Sequence, residues 1–99
     1  MTRIDQTLDH PAPPDEMPPA AQALWWLAKG GLATGPEWGL AHAIAQAHEG
    51  EPLFDAIHAL AHRIEGDEGN ARYWDRRAGT DLGGRGHQAE WDALAARLG

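Results

Sequence analysis

His58 and His62 lie four residues apart, and Glu65 follows three residues after the second. On a helix, side chains three and four positions apart stand over one another, so two imidazoles and a carboxylate in this register can converge. Neutral imidazole nitrogens and an anionic oxygen are donors that a divalent transition metal accepts, and Asp67 is a second oxygen candidate. Such an ion would need at least one more ligand from another helix, for which His42 or His48 is available. The segment continues to Tyr73 and Arg77, again four apart. A guanidinium can grip a carboxylate or phosphate at two points, and a histidine can move protons. His58, His62, Glu65, Tyr73 and Arg77 are therefore the candidate ligand-binding residues of one polar cleft, with His58, His62 and Glu65 the candidate metal ligands. The alternative needs no ion: the imidazoles bond to carboxylates or backbone carbonyls within a scaffold. No cofactor is assigned firmly, and a divalent metal is the one candidate.

These residues have to be positioned by helices. After residue 19 the chain holds three Ile, two Thr and no Val, is rich in Ala and Leu, and carries Gly at helix-length intervals. That composition favours helix over strand throughout. A first helix is expected from Pro18 or Pro19 to Lys29, with Gly30-Gly31 as its stop. A second opens at Pro36 behind Thr34 or Gly35 and runs to Glu49, with Trp38, Ala41, Ile44, Ala45 and His48 as its inward stripe. The third opens at Glu51-Pro52 and closes at Glu65. Its Leu53, Ile57, Leu60 and Ile64 recur at spacings of four, three and four, the cleanest amphipathic signal in the chain. At about 100° per residue, His58 and Glu65 fall beyond the flank of that stripe.

Gly66 is expected as the left-handed stop of this third helix, and Asp67 and Asn70 as caps or turn bonds for a fourth from about Asn70 to Ala78, stopped by Gly79. Glu65 or Asp67 would pair with Arg63, Arg76 or Arg77, while Tyr73 and Arg77 share a face and Trp74 packs inward. Thr80 to Gly86 reads as a mobile loop and leads to a last helix on which Trp91, Leu94, Ala95 and Leu98 lie together. Residues 1–19 hold five of the seven prolines and few large apolar groups, so this arm is expected to be extended or disordered, or else docked through Ile4 and Leu8. Residues 20–99 then form one all-α domain, a compact bundle of four to five short helices.

The run from His58 to Gly79, with its order H-A-x-x-H-R-x-E-x-D-x-x-N-A-x-Y-W and a closing Arg and Gly, resembles a signature of small uncharacterised helical proteins in bacteria and fungi. The likeness covers about 22 of the 99 residues and implies a shared fold and a shared site, with no known activity attached. Asn70 to Ala78 is also similar to the close of a Sel1-type helical repeat, but no neighbouring copies exist here for it to stack against.

Composition excludes several classes of chemistry. With no Cys there are no disulfides, thiolate metal sites or cysteine nucleophiles, and with no Ser there is no serine triad. The net charge of −7 repels phosphate backbones and anionic lipid surfaces, so neither a nucleic-acid nor a membrane partner is expected. Gly83-Gly84-Arg85-Gly86 follows no strand and lacks the Lys-Ser or Lys-Thr ending of a P-loop. No apolar run is long enough for a membrane helix and Arg3, Asp5, Asp9 and Asp15 interrupt any leader, so a cytoplasmic location is expected. Five tryptophans in so short a chain suggest an apolar surface, supplied by Trp25 or Trp26, through which a non-catalytic binding or interaction module self-associates or meets a protein partner. The second expectation is a small metal-dependent hydrolase or acid-base enzyme built on His58, His62 and Glu65, with Arg77 holding an anionic substrate.

Overall fold

The computed structural model describes residues 4–98; the first three residues of the arm and Gly99 fall outside the described residues. Five α-helices follow a short 3-10 turn at Ile4–Thr7: α1 Pro19–Lys29, α2 Pro36–Ala47, α3 Pro52–Ile64, α4 Glu68–Ala78 and α5 His87–Ala96. The fold is all-α, with no strand among the described residues. No described helix is long and apolar enough to cross a membrane.

The first three helices each carry a proline in their opening turn, where its missing N–H is no loss and its fixed φ suits the helix. The expected bounds shift at two ends. α2 stops at Ala47 rather than Glu49, because His48 already leaves helical geometry and its N–H turns back to the Ala45 carbonyl. α4 begins at Glu68 rather than Asn70, because Asp67 is the capping residue: its carboxylate accepts from the Asn70 amide at 3.2 Å and from the Asn70 side chain at 2.6 Å. Those bonds hold the Asp67 carboxyl below the usual carboxylate range. At the other end, Gly79 at φ 73° provides the left-handed stop.

α3 is the central element. Its Phe54, Ile57 and Leu60 join Leu24, Trp25 and Leu27 of α1, Ala41 and Ala45 of α2, and Trp91 and Leu94 of α5 in one core. Trp91 donates its indole N–H to the Leu24 carbonyl at 2.8 Å, tying α5 to α1 while satisfying a polar atom that burial would otherwise penalise. The arm lies on α1. Ile4 is 1 % exposed, Trp25 Nε1 donates to Thr7 Oγ1 at 2.9 Å, and Lys29 Nζ donates to the Leu8 carbonyl at 2.6 Å.

That contact decides between the two tryptophans. Trp25 is fully buried beneath the arm and supplies no outward surface. Trp26 is half-buried and meets the Trp25 ring edge-on at 5.0 Å. Adjacent helical positions diverge by about 100°, which lets one indole fill the core while the next covers it.

A buried ion cluster fixes α3, α4 and α5 together. Arg63, expected to pair with Glu65 or Asp67, instead donates Nη2 to Asp75 at 2.5 Å and Nη1 to Glu90 at 2.6 Å, and its Nε meets Glu68 at 3.3 Å. Thr80 Oγ1 donates to the other Asp75 oxygen at 3.2 Å. Burial opposes the charged guanidinium, but the bonds to Asp75 and Glu90 outweigh it and raise the Arg63 pKa. Glu90 is pushed up by burial, against the pull of Arg63. The loop closes over this cluster at Gly83, where a Cβ would come within 3.1 Å of Arg63 Nη2, so a side chain there requires the guanidinium to give by a few tenths of an ångström.

Candidate functional site

His58 and His62, one turn apart on α3, stack at 4.9 Å between ring centroids, and the third ring of the group comes from α2: His42 meets His58 edge-on at 4.6 Å and His62 at 5.2 Å. One potential ligand nitrogen from each of the three lies within 4.8 Å of the others. The sequence places His42 as a supplementary ligand; the fold makes it a full member of the cluster. His48, the other candidate, sits apart on Glu51 at 3.2 Å and against Phe54.

Two indoles wall the cluster. Trp38 stacks on His42 at 5.0 Å and is itself tethered, donating Nε1 to the Ala61 carbonyl of α3 at 2.7 Å. Trp74, on α4, stacks on His58 at 3.9 Å. His58 thus has a flat partner on α4, while His42 stacks on Trp38 of its own helix and meets α3 edge-on, contacts that narrow the ring orientations more than α3 alone could.

The electrical state of the rings follows from burial. His58 is only 3 % exposed, and its pKa is lowered to about 4, first by desolvation and then by the neighbouring imidazoles and Arg77. His42 is lowered by desolvation and by His62. Both are neutral at pH 7, with a nitrogen lone pair available. His62 is oriented from below: its Nδ1 lies 2.6 Å from Glu65 Oε2, and since a carboxylate only accepts, Nδ1 carries a proton, which in the neutral ring leaves Nε2 with the lone pair. Glu65 thus serves His62 as a hydrogen-bond partner rather than joining the three-imidazole group. His62, Glu65 and Asp67 also come within 4.8 Å of one another at the more exposed end.

Among the described residues, two buried side-chain atoms have no hydrogen-bond partner, His58 Nδ1 and Glu90 Oε1. Leaving a buried polar atom unpaired costs about 1–3 kcal/mol. The helical register alone put His58 outside the apolar stripe. Its burial comes from α2 and α4 closing over that side of α3, which a single-helix projection cannot register.

Tyr73 and Arg77 stand at the edge. Arg77 Nη1 donates to the Tyr73 hydroxyl at 3.2 Å, and its guanidinium lies 4.9 Å from the Trp74 ring centroid and 4.0 Å from Asp55 Oδ2. Arg77 therefore reaches the imidazoles through the Trp74 ring and through its field, rather than by direct contact. Tyr73 is 44 % exposed. No family model, curated protein or solved structure matches the chain.

Proposed function

We propose that this chain is a small non-catalytic binding module whose ligand is received by the imidazole cluster of His42, His58 and His62. The observation that carries this reading is the unpaired, buried His58 Nδ1, on a ring stacked on Trp74 and met edge-on by His42. A ring kept neutral, oriented and without a partner costs stability in the free protein and has its use in contact with something else. Binding is favoured over hydrolysis because the groups that would act on a substrate are engaged: Glu65 by His62, and Arg77 by Tyr73 and Asp55.

The test is the stability of His58→Phe and His58→Leu. Both remove the unpaired nitrogen, and Phe keeps a flat ring against Trp74. If the imidazole is retained for binding, at least one variant melts higher than the parent by about 4 °C or more, since each kcal/mol corresponds to roughly 4–8 °C in a domain of this size. Loss of stability in both would assign His58 a purely structural role and end the proposal.

A further inference from the structure

Taking the imidazole cluster as a binding site, we infer that its ligand is a divalent transition-metal ion of the zinc class, held by His42, His58 and His62 with a fourth position left to solvent or a second ligand. The donor set supports this on four counts. Three imidazoles suit zinc, nickel, copper or iron better than the hard cations calcium and magnesium, which take oxygen. Three protein donors and one open position is the pattern of an accessible zinc-type site rather than a closed structural one.

The second count is reach. A tetrahedral ion about 2.0–2.1 Å from each nitrogen requires ligand atoms roughly 3.4 Å apart, and these three already lie within 4.8 Å. Closing the remainder takes ring rotations, and His42 and His62 are only partly buried. The third is His58 Nδ1, a buried donor atom without a partner. The fourth is Glu65, which holds the His62 Nδ1 proton and leaves Nε2 as the donor; carboxylate support of this kind accompanies metal-bound histidine almost always. The Trp38 tether matters here as well, because it sets the angle at which α2 presents His42 to α3.

The metal ligands are therefore revised from the sequence expectation. His42 replaces Glu65 in direct contact, and Glu65 becomes a positioning residue. Its substitution is expected to weaken binding about 10–100-fold without abolishing it, the usual size when a ligand histidine loses the carboxylate that orients it.

The experiment uses full-length protein prepared without an affinity tag and stripped with chelator. Zinc chloride and nickel chloride are titrated by calorimetry, and cobalt chloride by visible absorption, in which a tetrahedral site gives intense ligand-field bands. One saturable equivalent is expected, with tetrahedral cobalt bands. His42→Gln, at a half-buried position, should weaken zinc binding by more than a hundredfold, as should His62→Gln, while His48→Gln leaves it unchanged. Glu65→Gln should fall between.

Absence of a stoichiometric site, or equal loss in the His42 and His48 variants, would overturn the inference. Circular dichroism of each variant shows whether the fold persists; if His42→Gln does not fold, His62→Gln carries the comparison. Failure of the metal is distinguishable from failure of the site. If His58→Phe or His58→Leu gains stability and no ion binds, the cluster is a binding site for some other ligand and the metal assignment is wrong. If both lose stability, the site itself is wrong.

Discussion

Arg63→Leu is the perturbation that most directly tests how the site is held. In the folded protein Asp75 and Glu90 both bond to this guanidinium, and Glu90 is 1 % exposed. Leucine would fill much of the volume and leave two buried carboxylates without a cation. Breaking a buried pair from one side costs about 3–5 kcal/mol. For a chain of 99 residues, total stability at 0.05–0.15 kcal/mol per residue is roughly 5–15 kcal/mol. The variant is thus expected to lose at least about a fifth of its stability, and most of it if the parent lies at the low end of that range, and to loosen the α3–α4 pair that carries His58, His62 and Trp74. Urea denaturation followed by tryptophan fluorescence measures the loss as a lower midpoint with an unchanged slope. The physical cause predicts a second signature. Without Arg63 the buried carboxylates have folded-state pKa values above their unfolded ones, so the variant's deficit shrinks as the pH falls into the carboxylate range and grows as it rises. Adding Asp75→Asn and Glu90→Gln to Arg63→Leu removes the stranded charges and should recover most of the loss at pH 7. A deficit below about 1 kcal/mol, or one that is the same at pH 5 and pH 8, would refute the ion-cluster account.

Further expectations follow from the same contacts. The low His58 pKa, about 4, lies below its unfolded value, so its contribution is present above pH 6.5 and is lost as the pH falls toward 4. In metal-free protein that loss is on the order of 3 kcal/mol by linkage, and it should vanish from a melting-temperature profile of His58→Phe. Ile4→Ala should lower stability by about 2 kcal/mol, the smaller end of the range for a buried aliphatic truncation, and expose Trp25 to a fluorescence quencher. No change in quenching would mean the arm does not cover that indole. Trp38→Phe keeps a ring beside His42 but removes the bond to the Ala61 carbonyl, costing about 1 kcal/mol and weakening zinc binding several-fold. Gly79→Ala forces an L side chain into the left-handed region and should cost about 1–2 kcal/mol by urea melt.

Local rules made part of this protein legible from its residues. The proline starts, the glycine stops and the Asp67 cap depend on backbone geometry within one turn, so the helices could be read to within about two residues at their ends. The pairing of His58 with His62 and of His62 with Glu65 was likewise legible, because each requires nothing beyond helical spacing. Trp74 was read as inward-facing, and Tyr73 as sharing a face with Arg77, for the same reason.

What sequence spacing could not give is everything that depends on one helix meeting another. His42 stands sixteen residues before His58, Arg63 twenty-seven before Glu90, and nothing in those separations distinguishes a pair that touches from one that does not. The burial of Trp25 under the arm, the neutral state of His58 and the diversion of Arg63 away from Glu65 all arise when α2, α4 and α5 close over α3 and exclude water. Desolvation and cross-helix reach are properties of the packed assembly, so the chain supplied the imidazoles and its tertiary fold decided which of them meet and in what charge state.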